Sequence, residues 1–170
     1  MLRSLFGRSS SRDAAEKKEY APGTRISYDP KLIERFEGHH AALGKLLQGI
    51  VNSAERKNYS SIESQLKRFQ SVLEQHVLEE NVRLYVYLEK CLLKDEMNAQ
   101  LSLDMKREMG EIGRKVAKLV RHYTEFGVDK DNVDKFLSDI KKMGGLLQER
   151  IDREENSLYT LYLPPSDYGS

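Results

Sequence analysis

Residues 62–84 read IESQLKRFQSVLEQHVLEENVRL. Ile62, Leu66, Phe69, Leu73, His76, Glu80 and Leu84 recur at steps of three and four, the spacing of one face of an α-helix. Ser60 precedes the stripe, and Glu63 completes a capping-box pattern three residues later. A helix from Ser60 to about Leu93 is therefore expected. Two of its seven stripe positions are polar. His76 and Glu80 lie one turn apart on the same face, so the face that enters the core carries an imidazole and a carboxylate.

The surroundings extend the helical pattern. Prolines occur at 22, 30, 164 and 165, and none lies between Lys31 and Leu163. A proline inside a helix costs about 3 kcal/mol, so this gap permits long helices, and its Leu, Glu, Lys, Arg and Gln content favours them. A first helix should begin at Asp29-Pro30 and carry Ile33, Phe36, His40, Leu43, Leu47 and Ile50 on its stripe. A third should span about Glu96–Phe126 and stop at Gly127, with Met105, Met109, Ile112, Val116, Leu119, Tyr123 and Phe126 inward and His122 at the stripe's edge. A fourth should run from about Asp131 to Leu163 with Val133, Phe136, Ile140, Met143, Leu147, Glu154, Leu158 and Leu161 inward. Periodicity leaves open whether Arg150 or Ile151 points to the core. Sustained apolar/polar alternation is missing. Four helices joined by short connections predict an all-α, antiparallel up-down-up-down four-helix bundle over residues 29–163. Residues 1–28 read as a flexible basic, Ser-rich tail and 164–170 as a C-terminal tail. Residues 1–12 faintly resemble an organelle transit sequence, although a solvated tail is preferred.

Composition narrows the function. The 170 residues hold 28 basic and 27 acidic side chains. That balance lacks the basic excess of a nucleic-acid binder. No apolar run reaches the roughly 18 residues of a membrane span, and no secretory signal is expected at the start. The single cysteine, Cys91, excludes an internal disulfide framework and fits a reducing, cytoplasmic setting. No Ser/His/Asp or Cys/His arrangement suggests a nucleophile, so an enzyme is not expected.

The anomaly is polar chemistry on apolar stripes. His40, His76, Glu80 and Glu154 replace apolar residues on three helices. Two buried carboxylates from two helices require a cation between them. A metal would serve, because His and carboxylate sets suit iron or manganese. So would Arg150, through a two-pronged hydrogen bond.

Residues 76–85 (HVLEENVRLY) and 150–159 (RIDREENSLY) share the Glu and the Leu-Tyr at an offset of 74. This pattern resembles the hemerythrin-like, His-His-Glu cation-binding family over about residues 28–163. The resemblance implies a non-haem iron centre that binds oxygen or nitric oxide, or senses iron or redox state. It implies His40 as the first-helix ligand, His76 and Glu80 as second-helix ligands, His122 as a third-helix ligand, and Glu154 as the fourth-helix carboxylate that bridges two metals with Glu80. The chain departs from the family where Arg150 stands in place of a histidine, and where Lys118 and Phe126 flank His122. Arginine stays charged and binds no metal. Tyr123 is an additional candidate ligand. A second, shorter resemblance is to bacterial regulator of sigma D proteins, metal-free bundles that bind a protein partner.

The other notable residues have plainer readings. His39 reads as solvated or beside the site. Tyr85, Tyr87, Tyr159 and Tyr162 read as packing with hydroxyls at the rim. Glu79, Arg83, Arg153 and Glu155 read as a solvated face, and the methionines as core filling. Gly110, Gly113, Gly144 and Gly145 suggest close helix approach. The expected function is a cytoplasmic, bacterial, hemerythrin-like bundle with a degenerate iron site that senses or binds a metal, O2 or NO. The alternative is a metal-free, anti-sigma-like regulatory bundle.

Overall fold

The computed structural model describes residues 18–168. Residues 1–17 lie outside the described residues, and with them most of the expected N-terminal tail. The order is α1 (Leu32–Glu55), a 3-10 turn (Tyr59–Ser61), α2 (Ile62–Glu79), a π-helical segment (Glu80–Tyr85), α3 (Val86–Cys91), α4 (Glu96–Phe126), α5 (Val133–Arg153), a second π-helical segment (Glu154–Leu158) and a 3-10 turn (Tyr159–Leu161). The segments from α2 through α3 form one rod, as do those from α5 to Leu161. Four helical rods result, with no strand among the described residues. α1 and α4 each pack against both α2 and α5. The short links 56–61, 92–95 and 127–132 make successive rods antiparallel.

The helix ends follow local chemistry. Asp29 organises the entry to α1: its Oδ1 accepts the Lys31 N–H at 3.0 Å and its carbonyl accepts the Leu32 N–H at 3.0 Å. The helix therefore starts two residues later than Pro30 suggested. The capping box at Ser60 does not form, because Ser60 is taken into the 3-10 turn and its hydroxyl donates to Asn58 Oδ1 at 3.2 Å. Asp95 caps α4 by accepting the Asn98 N–H. Gly127 ends α4 at φ 74°, a conformation that favours glycine. A Cβ on Gly144 would lie 2.7 Å from Leu47 Cδ2, so α1 and α5 approach closely there. Gly110, Gly113 and Gly145 show no such contact with another helix.

The core has two apolar clusters separated by a polar layer. One includes Leu43, Ile50, Leu66, Leu73, Met109, Val116, Phe136 and Leu147. The other includes Leu32, Phe36, Leu84, Tyr87, Met105, Leu158 and Tyr162. His40, His76, Glu80, Arg150 and Glu154 fall between the clusters along their helices, and all are buried. Tyrosines apart, they are the only ionisable side chains buried among the described residues.

Residues 18–28, within the segment expected as a tail, form a turn. Ala21 donates to the Ile26 carbonyl at 2.9 Å, and Tyr28 to the Glu19 carbonyl at 2.8 Å. Ala21 is buried, and Tyr28 stacks on Tyr162 at 5.0 Å between ring centroids. Ala21, Ile26 and Tyr28 join the apolar cluster at that end of the bundle, and the Ser166 N–H donates to Glu19 Oε2 at 3.1 Å. After Leu161 the chain forms another short 3-10 turn (Pro165–Asp167), and the Tyr168 hydroxyl donates to the Leu161 carbonyl. Among the described residues, no helix is long and apolar enough to cross a membrane.

Candidate metal centre

Each helix phase determines what reaches the polar layer. On α1, His40 sits one turn beyond Phe36 and one before Leu43, so burial of those neighbours carries it inward. On α2, His76 follows Leu73 by three. On α5, Arg150 follows Leu147 by three and is 2% exposed, whereas Ile151 is half-buried. Arg150 is therefore the inward residue. Both π-helical segments begin at a buried glutamate, Glu80 and Glu154. Such bulges are frequent at functional sites because they reset the side-chain phase within a helix.

His40 is the hub. Its Nε2 lies 3.2 Å from His76 Nε2, 3.1 Å from Glu154 Oε2 and 3.3 Å from the Tyr159 hydroxyl. Its Nδ1 lies 2.8 Å from Glu155 Oε1. A histidine held by a carboxylate through one ring nitrogen presents the other to a ligand in a fixed orientation. The Tyr159 hydroxyl donates to Glu80 Oε1 at 2.9 Å. Glu80 Oε2 lies 3.7 Å from His76 Nε2 and is buried with no hydrogen-bond partner.

The charge balance is set by burial. Burial disfavours the charged form of His40, but the hydrogen bonds it donates to Glu154 and Glu155, with the Glu154 and Glu80 charges, outweigh it and raise its pKa. For His76, burial comes first, followed by repulsion from His40, His39 and Arg150, and its pKa falls to about 3. Burial, then the Glu154 charge, pushes Glu80 up to about 8, against the Tyr159 hydrogen bond and the Arg150 and His40 charges. Glu154 Oε1 meets Arg150 Nη2 at 2.8 Å. The same Nη2 donates to the Tyr85 hydroxyl at 2.9 Å and to the Met105 carbonyl at 3.2 Å.

The donor set fits a metal. Metal–nitrogen bonds of about 2.0–2.1 Å place two ligands of one ion roughly 3–3.4 Å apart. The 3.2 Å and 3.1 Å separations about His40 Nε2 match that spacing. His40, His76 and Glu154 offer ligand atoms that all lie within 4.8 Å of one another, and all three residues are buried. The unpartnered Glu80 oxygen adds a fourth donor beside them.

Four of the five residues expected here come together: His40, His76, Glu80 and Glu154. His122 does not. It is exposed, with its ring against Tyr123 and Phe126. The inward stripe of α4 passes through Val120 rather than Leu119, which turns His122 outward. It also lies 17 residues from Met105, roughly 25 Å along the helix axis. Tyr123 is likewise outside the site, and its hydroxyl donates to Asp139 Oδ2 at 2.7 Å. Two contributors were read otherwise from sequence. Tyr159 reaches into the site instead of sitting at the rim, and Glu155 holds His40 instead of facing only solvent. The repeated Leu-Tyr pair was the available signal for Tyr159. Glu155 carried none, because the bulge that turns it toward His40 has no mark in composition.

A bundle with a buried His-His-Glu cluster at its polar layer is the architecture of a cation-binding domain. The chain matches the family model of the hemerythrin HHE cation-binding domain over residues 31–162 and belongs to that family. No curated protein and no solved structure matches the chain. Nothing found supports the second resemblance, to regulator of sigma D proteins.

Proposed function

We propose that this protein is a non-enzymatic, cytoplasmic iron-binding bundle that senses metal or a small diatomic ligand such as O2 or NO. The observation that carries the reading is the pair of facing imidazole nitrogens, 3.2 Å apart, with a carboxylate oxygen 3.1 Å from one of them. Two histidines and one carboxylate are a donor set suited to non-haem iron(II) with open positions. When bound, iron supplies a Lewis-acidic centre that changes oxidation state and takes a diatomic ligand. His40, His76 and Glu154 would hold it, and Glu80 would complete the set. Glu155 fixes the His40 ring, so that its Nε2 faces the cluster. Tyr159, whose hydroxyl also lies beside His40 Nε2, holds the other oxygen of Glu80. The apolar clusters above and below keep bulk water away from this layer.

The test is iron content, measured by elemental analysis with the visible spectrum, on protein purified anaerobically from iron-replete cells. The expected result is near-stoichiometric iron in the wild type and at least a tenfold loss in His76→Ala. Equal iron in that variant, or none in the wild type, refutes the reading. Sensing has its own measurement. Amide exchange should differ between iron-loaded and metal-free protein at residues 80–85 and 154–158. Identical exchange refutes sensing and leaves binding intact.

A further inference from the structure

The chain contains its own control for the site. His76, Glu80, Leu84 and Tyr85 recur as Arg150, Glu154, Leu158 and Tyr159, and each glutamate opens a π-helical segment. The repeat places Arg150 where the other rod places a metal-ligating histidine. The two tyrosines cross over. Tyr159 reaches Glu80 and His40, whereas Tyr85 accepts from Arg150. The layer thus has two halves. In one half, His40 and His76 face each other. In the other, Arg150 Nη2 is surrounded by three oxygens: Glu154 Oε1 at 2.8 Å, the Tyr85 hydroxyl at 2.9 Å and the Met105 carbonyl at 3.2 Å. Glu154 spans both halves, with Oε2 toward His40 and Oε1 toward Arg150.

We infer that the Arg150 guanidinium is a built-in second cation, so that the layer takes one metal ion per chain and Glu154 bridges that ion to the guanidinium. This rests on the metal-binding reading above and specifies its stoichiometry. A nitrogen cation that already sits among three oxygens leaves no room for an ion in that half. On the α4 rod the buried residues at this level are Met105 and Met109, and the carboxylate of Glu108, 4.0 Å from Arg150 Nε, is already held by Arg153 Nη1 at 2.7 Å. The fixed charge has a further consequence. Arg150 offsets Glu154 whether or not a metal is present. The metal-free bundle therefore remains folded, and its metal can leave and return.

The test counts metal. Metal-free, full-length protein is titrated anaerobically with iron(II) alone, freed of unbound ion by gel filtration and assayed by elemental analysis, beside Arg150→His. Saturation at one ion per wild-type chain and two per Arg150→His chain is expected, because a histidine at 150 with Glu80 and Glu154 opens the second half. Two ions in the wild type overturn the inference and leave the metal-binding reading standing. No ion in the wild type overturns both. One ion in Arg150→His, with a far-UV circular dichroism spectrum like the wild type, also overturns the inference. Should that variant not fold, the wild-type count of one or two decides alone.

Discussion

Replacing Arg150 with methionine preserves much of its volume and removes its charge. In metal-free protein this strands Glu154, which is 1% exposed. The lost attraction sets the scale of the cost. Unit charges about 4 Å apart at an effective dielectric of about 20 attract by about 4 kcal/mol. Loss of the donor to Tyr85 and Met105 adds to it. The expected destabilisation is about 3–5 kcal/mol, the range for breaking a buried pair. For a domain of this size that is a fall of about 6–20 °C in Tm. The double variant Arg150→Met with Glu154→Gln removes both charges and should recover at least about 2 kcal/mol of the loss, because the stranded charge is gone. The assay is urea unfolding of metal-free protein followed by far-UV circular dichroism, for both single variants and the double. A loss below about 1 kcal/mol in Arg150→Met, or strict additivity in the cycle, refutes the claim that this pair balances the core.

Two further expectations concern residues at the other end of the bundle. His122→Ala should keep the full wild-type iron content, because the ring is exposed on α4; a loss like that of His76→Ala would show that His122 is a ligand. The Tyr123 hydroxyl and Lys135 Nζ both donate to Asp139 Oδ2 at 2.7 Å. The Lys135 and then the Tyr123 hydrogen bond lower the Asp139 pKa below 3.8. Stability from a depressed carboxylate is present above its unfolded value and lost as pH falls through its folded value. Tyr123→Phe should therefore cost about 1 kcal/mol at neutral pH and less as the pH falls below that of the unfolded carboxylate; an equal cost in urea at both ends of that range would count against this account.

Most of the fold was legible because its signals are periodic. All seven stripe residues from Ile62 to Leu84 are buried, and α4 spans Glu96–Phe126, ending before Gly127 as expected. The site was legible where a polar residue interrupted such a stripe, as at His40, His76, Glu80 and Glu154. Reading failed where adjacent apolar residues compete. Leu119 and Val120 offer two phases for α4; packing selected Val120, and His122 turned outward. It failed again where the helix changes register. An α-helical projection continued through Glu154 puts Glu155 on the solvated side and Tyr159 near the rim. The π-helical turn adds a residue to the register, and both side chains come round to His40. The same ambiguity left Arg150 and Ile151 undecided, since each fits one of the two helical spacings after Leu147.

The two bulges and the arginine belong to one physical problem. A layer of ionisable groups inside a bundle is tolerated only if its charges cancel in every state the protein visits. With Glu80 pushed up to about 8, it holds its proton at neutral pH, and Arg150 offsets Glu154. His40, with its raised pKa, is matched by the partly exposed Glu155. Metal entry must displace protons from ligand atoms, and Glu80, already linked to the cluster through Tyr159, is placed to lose one. Each of these glutamates stands at the start of a register shift in its helix. A site with two histidine halves would need metal to cancel its carboxylates. A site with Arg150 does not, and that difference favours a reversible sensor over a permanently loaded structural centre.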